Sequence, residues 1–112
     1  FTLPATGFWF IQLFGYVNHN VEERYNQFFI TQSTDSGSNW TNAAGNSSSV
    51  GTRSGTNNLG GSSCGVVLDV TNVSTFRIKV KINCESNSAN SYMLGNADAS
   101  YTTIMFMKLG DT

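Results

Sequence analysis

The run FWFIQLFGYV, residues 8–17, decides how the rest of the sequence is read. In an extended chain successive side chains point to opposite faces. Phe8, Phe10, Phe14 and Tyr16 then share one side, and Trp9, Ile11, Leu13 and Val17 share the other. Both faces are apolar, whereas a strand of an antiparallel sheet normally shows one face to water. One face needs a second sheet; the other needs either another subunit or a long loop of the same chain. Gln12, set within the aromatic row, favours the subunit, because polar groups are commoner at interfaces than in a sealed core. Pro4 and Gly7 punctuate the approach to this strand, and Asn18, His19 and Asn20 supply turn-forming residues after it.

Outward from that run, Tyr25 to Thr31 reads as a second strand, rich in aromatic and β-branched residues. The polar stretch from Gln32 to Ser63 follows, with Trp40, Val50 and Leu59 as its large apolar anchors. A structureless loop of that length is unusual inside a compact domain, so one or two short strands are expected around Trp40 and Val50. Val66, Val67, Leu68 and Val70 form a short strand, and Thr71 to Ser74 a turn. From Thr75 to Cys84 the alternation is clean: Phe76, Ile78, Val80, Ile82 and Cys84 face inward, while Arg77, Lys79, Lys81 and Asn83 face out. A second polar loop is expected over Glu85 to Ala99. The closing strand, Ser100 to Leu109, is again apolar on both faces, with Tyr101, Met105 and Met107 on one and Ile104 and Phe106 on the other.

Short strands between turn-rich loops, with no amphipathic helix, indicate an all-β sandwich or jelly roll. A chain of 112 residues makes one domain, residues 1–112. Its start at Phe1 rather than Met points to a piece of something longer. Net charge is −1 and only 12% of residues are charged, which leaves no field to attract nucleic acid. The longest apolar run near the N-terminus, Phe8 to Ile11, is far too short to cross a bilayer as a helix. Cys64 and Cys84 read as two buried thiols or as one disulfide, the former favoured by the core face that Cys84 shares.

The block FTLPATGFWFIQLFGYV, residues 1–17, resembles the opening of the tumour-necrosis-factor-like and complement-head-like jelly rolls, in which an F-x-x-P-x-x-G-x-Y/W pattern leads into an inner-sheet strand. VVLDVTNVSTFRIKVKIN, residues 66–83, is similar to the family's strand pair with a tight turn, and SYTTIMFMKLGDT, residues 100–112, to its closing inner-sheet strand. The resemblance covers about two thirds of the chain and spares the loop from Gln32 to Ser63. Similar domains occur at the ends of bacteriophage fibres and among head-decoration proteins. The resemblance implies an antiparallel jelly-roll β-sandwich that trimerises through its inner sheet, around a seam of Phe10, Gln12, Phe14, Tyr16, Tyr101, Thr103, Met105 and Met107. It further implies a virion structural protein of the assembled extracellular particle. Such a protein is a capsid decoration or cement module or a tail-fibre knob for host attachment, whose partners are other virion proteins.

Chemistry is sparse. His19, the only histidine, lies in the turn after the first strand and reads as a solvated surface residue. No G-x-S-x-G elbow surrounds any serine. Glu22 and Glu23 are adjacent, and on a strand would face opposite ways, unlike a glycosidase pair. Gly60, Gly61 and the run from Gly51 to Gly55 read as loop glycines, since the lysine and helix of a phosphate loop are absent. Asp35 and Asp98 lie in no EF-hand spacing, and two Cys with one His cannot complete a four-ligand zinc site. Sequons at Asn39, Asn46 and Asn72 match chance in a chain so rich in Asn, Ser and Thr. The reading is therefore a protein that is not an enzyme and uses no cofactor or metal. The alternative is a receptor- or glycan-binding head in which Trp40 of the 32–63 loop stacks on a sugar, with Asp35, Asn39 and Asn42 as hydrogen-bonding groups.

Overall fold

A computed structural model describes residues 1–50, 58–85, 91–95 and 98–112. Among these the chain is all-β, with no helix, and forms two antiparallel sheets. The strands are β1 (Gly7–His19), β2 (Tyr25–Ser33), β3 (Thr41–Ser49), β4 (Asn58–Val70), β5 (Arg77–Cys84), β6 (Ser91–Met93) and β7 (Thr103–Gly110). In the first sheet β1 is central. It pairs along its whole length with β4, and on its other side with β7 over residues 8–14 and β6 over residues 17–19. The second sheet has the order β3-β2-β5.

The core lies between the sheets and follows from the alternation. Trp9, Ile11, Leu13 and Val17 of β1 are buried against Phe28 and Ile30 of β2 and Ile78 of β5, with Leu68 and Val70 of β4 beside them. Each large apolar side chain so buried contributes about 1.5–3 kcal/mol. Gly15, on the inner face of β1, leaves room for the Phe28 ring; a Cβ there would overlap it. The N-terminal segment closes the sandwich: Phe1 donates to the Ile78 carbonyl at 2.7 Å and accepts from its N–H at 3.0 Å, while Leu3 is buried.

Several boundaries differ from the sequence reading. Between Trp40 and Val50 there is one nine-residue strand, TNAAGNSSS, built from residues of poor strand propensity. It forms because β2 offers it a ladder from Tyr25 to Gln32. β4 begins at Asn58 rather than Val66, so Gly60 and Gly61 are strand residues, not loop residues. The length of β1 explains this: its residues 12–19 pair with Gly65 back to Asn58. The same extension carries Asn18 and His19 into β1. The polar stretch after Cys84 contributes β6. The run from Gly51 to Gly55 lies outside the described residues.

Candidate association face

The outer face of the β4-β1-β7 sheet gathers the residues that the sequence reading assigned to a subunit seam. Phe10 pairs across the ladder with Met107, Gln12 with Met105 and Phe14 with Thr103. Tyr101 stacks on Tyr16, with centroids 5.9 Å apart and planes 14° from parallel. All eight residues are thereby brought together on one surface. Three further apolar residues are exposed on this face: Phe8 at 41%, which the sequence reading placed on the aromatic side but outside the eight, and Val67 at 51% and Leu109 at 55%, which it missed. Phe14, at 51%, and Met107, at 48%, are as open. Strand parity at Val67 and Leu109 was the available signal.

β4 makes the face smooth. Three of its outward residues are small: Gly61 pairs with Tyr16, Ser63 with Phe14 and Gly65 with Gln12, while Val67 and Asp69 stand opposite Phe10 and Phe8. A Cβ at Gly61 would lie 3.0 Å from the Tyr16 ring, and one at Gly65 would lie 2.5 Å from Gln12 Oε1 and 3.3 Å from the Phe10 ring. The large β1 side chains therefore lean across β4, shielding its glycine backbone.

Residues 34–50 do not cover this face. They belong to the opposite sheet, with β3 paired to β2. Asp35 and Asn39 sit together in the loop before β3 and satisfy one another: the Asp35 carboxylate accepts from Ser33 Oγ at 2.6 Å, from the Asn39 N–H at 2.9 Å and from Asn39 Nδ2 at 2.6 Å. These bonds, the one from Ser33 first, hold the Asp35 pKa down to about 2. Trp40 donates Nε1–H to the Gly37 carbonyl at 2.9 Å, and the Lys79 ammonium sits 4.1 Å from its ring centroid. Its indole is a packing anchor with one face occupied. Asn42 lies apart, beside a shallow groove with Gln27 and Phe29.

His19 is fully buried, not solvated. Its Nδ1 lies 2.8 Å from Ser91 Oγ, and that hydroxyl is 3.5 Å from Glu23 Oε1. Burial lowers the His19 pKa, and the Glu23 charge opposes the shift. The serine hydroxyl stands between imidazole and carboxylate, whereas a nucleophilic relay needs the imidazole between the other two. The cluster ties β6 and the turn after β1 together. Cys64 and Cys84 are buried free thiols, both pushed up in pKa by burial. Among the described residues no group of three or more His, Cys, Asp or Glu is placed to hold a metal.

No protein-family model matches the sequence, and no curated protein matches it.

Proposed function

We propose that this chain is a non-enzymatic assembly module that works by self-association. In the assembly the outer face of β4-β1-β7 packs around a threefold axis against two further copies. The observation that carries this reading is the aromatic row of Phe8, Phe10, Phe14 and Tyr16 on β1, with Phe8 and Phe14 exposed and the other two half-buried, flanked by exposed Val67 on one side and by exposed Met105 and Met107 on the other. Monomeric proteins rarely leave apolar patches larger than a few hundred Å² in water.

The finer architecture is a jelly roll. In support, the chain passes from the first sheet to the second after β1, back after β3, across again after β4, and returns for β6 and β7. That order places the first and last long strands side by side, as the resemblance to trimeric heads implies. Threefold symmetry and the setting, a virion decoration, cement or fibre-knob module bound to other virion proteins, also rest on that resemblance.

Sedimentation velocity of the chain beside its Phe14→Glu variant tests the proposal. A single trimeric boundary that the variant converts to monomer is the expected result. Identical boundaries for both chains would overturn it.

A further inference from the structure

The opposite surface of the sandwich has a different character. Arg77, Lys79 and Lys81 alternate on the outward face of β5, about 7 Å apart by strand geometry. Half of the six basic residues of a chain whose net charge is −1 therefore stand in one row. Among the described residues, the ion pairs lie elsewhere, between Arg24 and Glu85 and between Lys108 and Asp111. Asp35, the acid in the neighbouring loop, has its carboxylate engaged by Ser33 and Asn39.

The row is held in place. Arg77 donates to the carbonyls of Val73, Ser74 and Phe76 at 3.1, 2.8 and 2.7 Å, which fixes the guanidinium and leaves its charge uncompensated. Lys79 lies over Trp40 and Lys81 over Phe29, the latter 5.7 Å from the ring centroid. Beside them opens a cleft of about 690 Å³ whose walls include Arg77, Lys79, Trp40, Ile78, Val80 and Met93. A cleft of this volume, apolar on its walls and cationic at its rim, has the size of a small-ligand site.

We infer that this cleft and row form a binding surface for an acidic saccharide. The carboxylate or sulfate groups of the ligand meet Arg77, Lys79 and Lys81, and the apolar face of a sugar ring lies against Val80 and Met93. A nucleic acid is the poorer fit, because the Trp40 and Phe29 rings beside the row each carry a lysine over one face, where a base of a single strand would stack. The inference is independent of self-association. In an assembly sealed through the β4-β1-β7 face this surface points outward, so several copies would bind one polymer with added avidity.

The test is calorimetric titration with three size-matched oligosaccharides, sulfated, carboxylated and neutral, and with a single-stranded oligonucleotide. Wild type is compared with Lys79→Gln, Lys81→Gln, Lys79→Arg and, as a control remote from the row, Lys108→Gln. The expected result is binding of one or both acidic sugars and none of the neutral one. Each of Lys79→Gln and Lys81→Gln should weaken binding about three- to tenfold, with recovery in Lys79→Arg and no change in Lys108→Gln. A sulfated-only or carboxylated-only response identifies which acid the surface takes. Equal binding of the neutral sugar, tighter binding of the oligonucleotide, or no binding to a chain whose circular dichroism is unchanged would each overturn the inference. Repeating the titration with Phe14→Glu separates the two proposals, since a monomer that still binds leaves this surface intact whatever becomes of the assembly.

Discussion

Tyr16 and Tyr101 stack almost face to face on the outer surface of the first sheet, 5.9 Å between centroids, and so tie the middle strand to the segment that leads into β7. Thr102 reinforces the tie: its hydroxyl donates to the Tyr16 carbonyl at 3.1 Å and accepts from the Tyr16 N–H at 3.1 Å. Tyr101→Ala is expected to cost about 0.5–1.5 kcal/mol of fold stability through the lost ring pair. It should also weaken association by more than that, because the ring is 46% exposed in one chain and available to a second. Urea midpoints and dissociation constants, measured on the same preparation, separate the two effects.

Gly15 sets the spacing of the two sheets. A methyl group there overlaps the Phe28 ring, and Phe28 is itself fully buried at the centre of the core. Gly15→Ala is expected to destabilise the fold by about 1–3 kcal/mol through overpacking. Gly110, whose added Cβ would meet nothing within 4 Å, supplies the comparison, with Gly110→Ala expected within about 0.5 kcal/mol of wild type. Thermal melts of the two variants would show the difference directly.

His19 makes stability pH-dependent in a defined direction. Burial, its largest perturbation, puts the folded pKa below the ordinary value of 6.5, so the unfolded chain binds the proton first as pH falls. The contribution is complete above about pH 6.5 and is lost as the pH falls from there to the folded pKa; below that it is constant. Urea midpoints should therefore decrease from pH 8 to pH 5, and His19→Gln should flatten that part of the profile. A midpoint that rises toward pH 5 would contradict the burial of a neutral imidazole.

The two thiols provide a compact check on the core. Cys64 and Cys84 are buried on inner faces, and burial raises both pKa values, so the reactive thiolate is scarce at neutral pH. A thiol reagent should label neither at an appreciable rate in the native chain and should titrate both after addition of guanidinium. Rapid labelling of either in the native state would mean that the inner face opens.

The large-residue strands were legible from their side chains, and the small-residue strands were not. Phe8 to Val17, Tyr25 to Thr31 and Thr75 to Cys84 declare themselves through aromatic and β-branched residues, and the structure keeps the faces read for the first and the last of them. β3 and the first half of β4 consist of Gly, Ser, Asn and Ala, with Leu59 and Thr41 the larger exceptions. Nothing local marks them as strands; the ladders of β2 and β1 impose the conformation. His19 was misplaced for the same reason. Asn and His after an aromatic run read as a turn, yet the β1 ladder to β4 and β6 carries both residues on as strand and buries them. The apolar seam was readable because parity alone assigns its members to one face. The basic row was visible only as alternation, and its meaning depends on where the acids of the chain lie in space.

The most direct test of self-association through the β4-β1-β7 face is the molar mass of the purified chain by light scattering, followed across a dilution series. A mass that holds near three times 12.1 kDa agrees with the threefold seam. A mass of 12.1 kDa at every concentration would contradict it, leaving Phe14, Met107 and Leu109 exposed in a stable monomer.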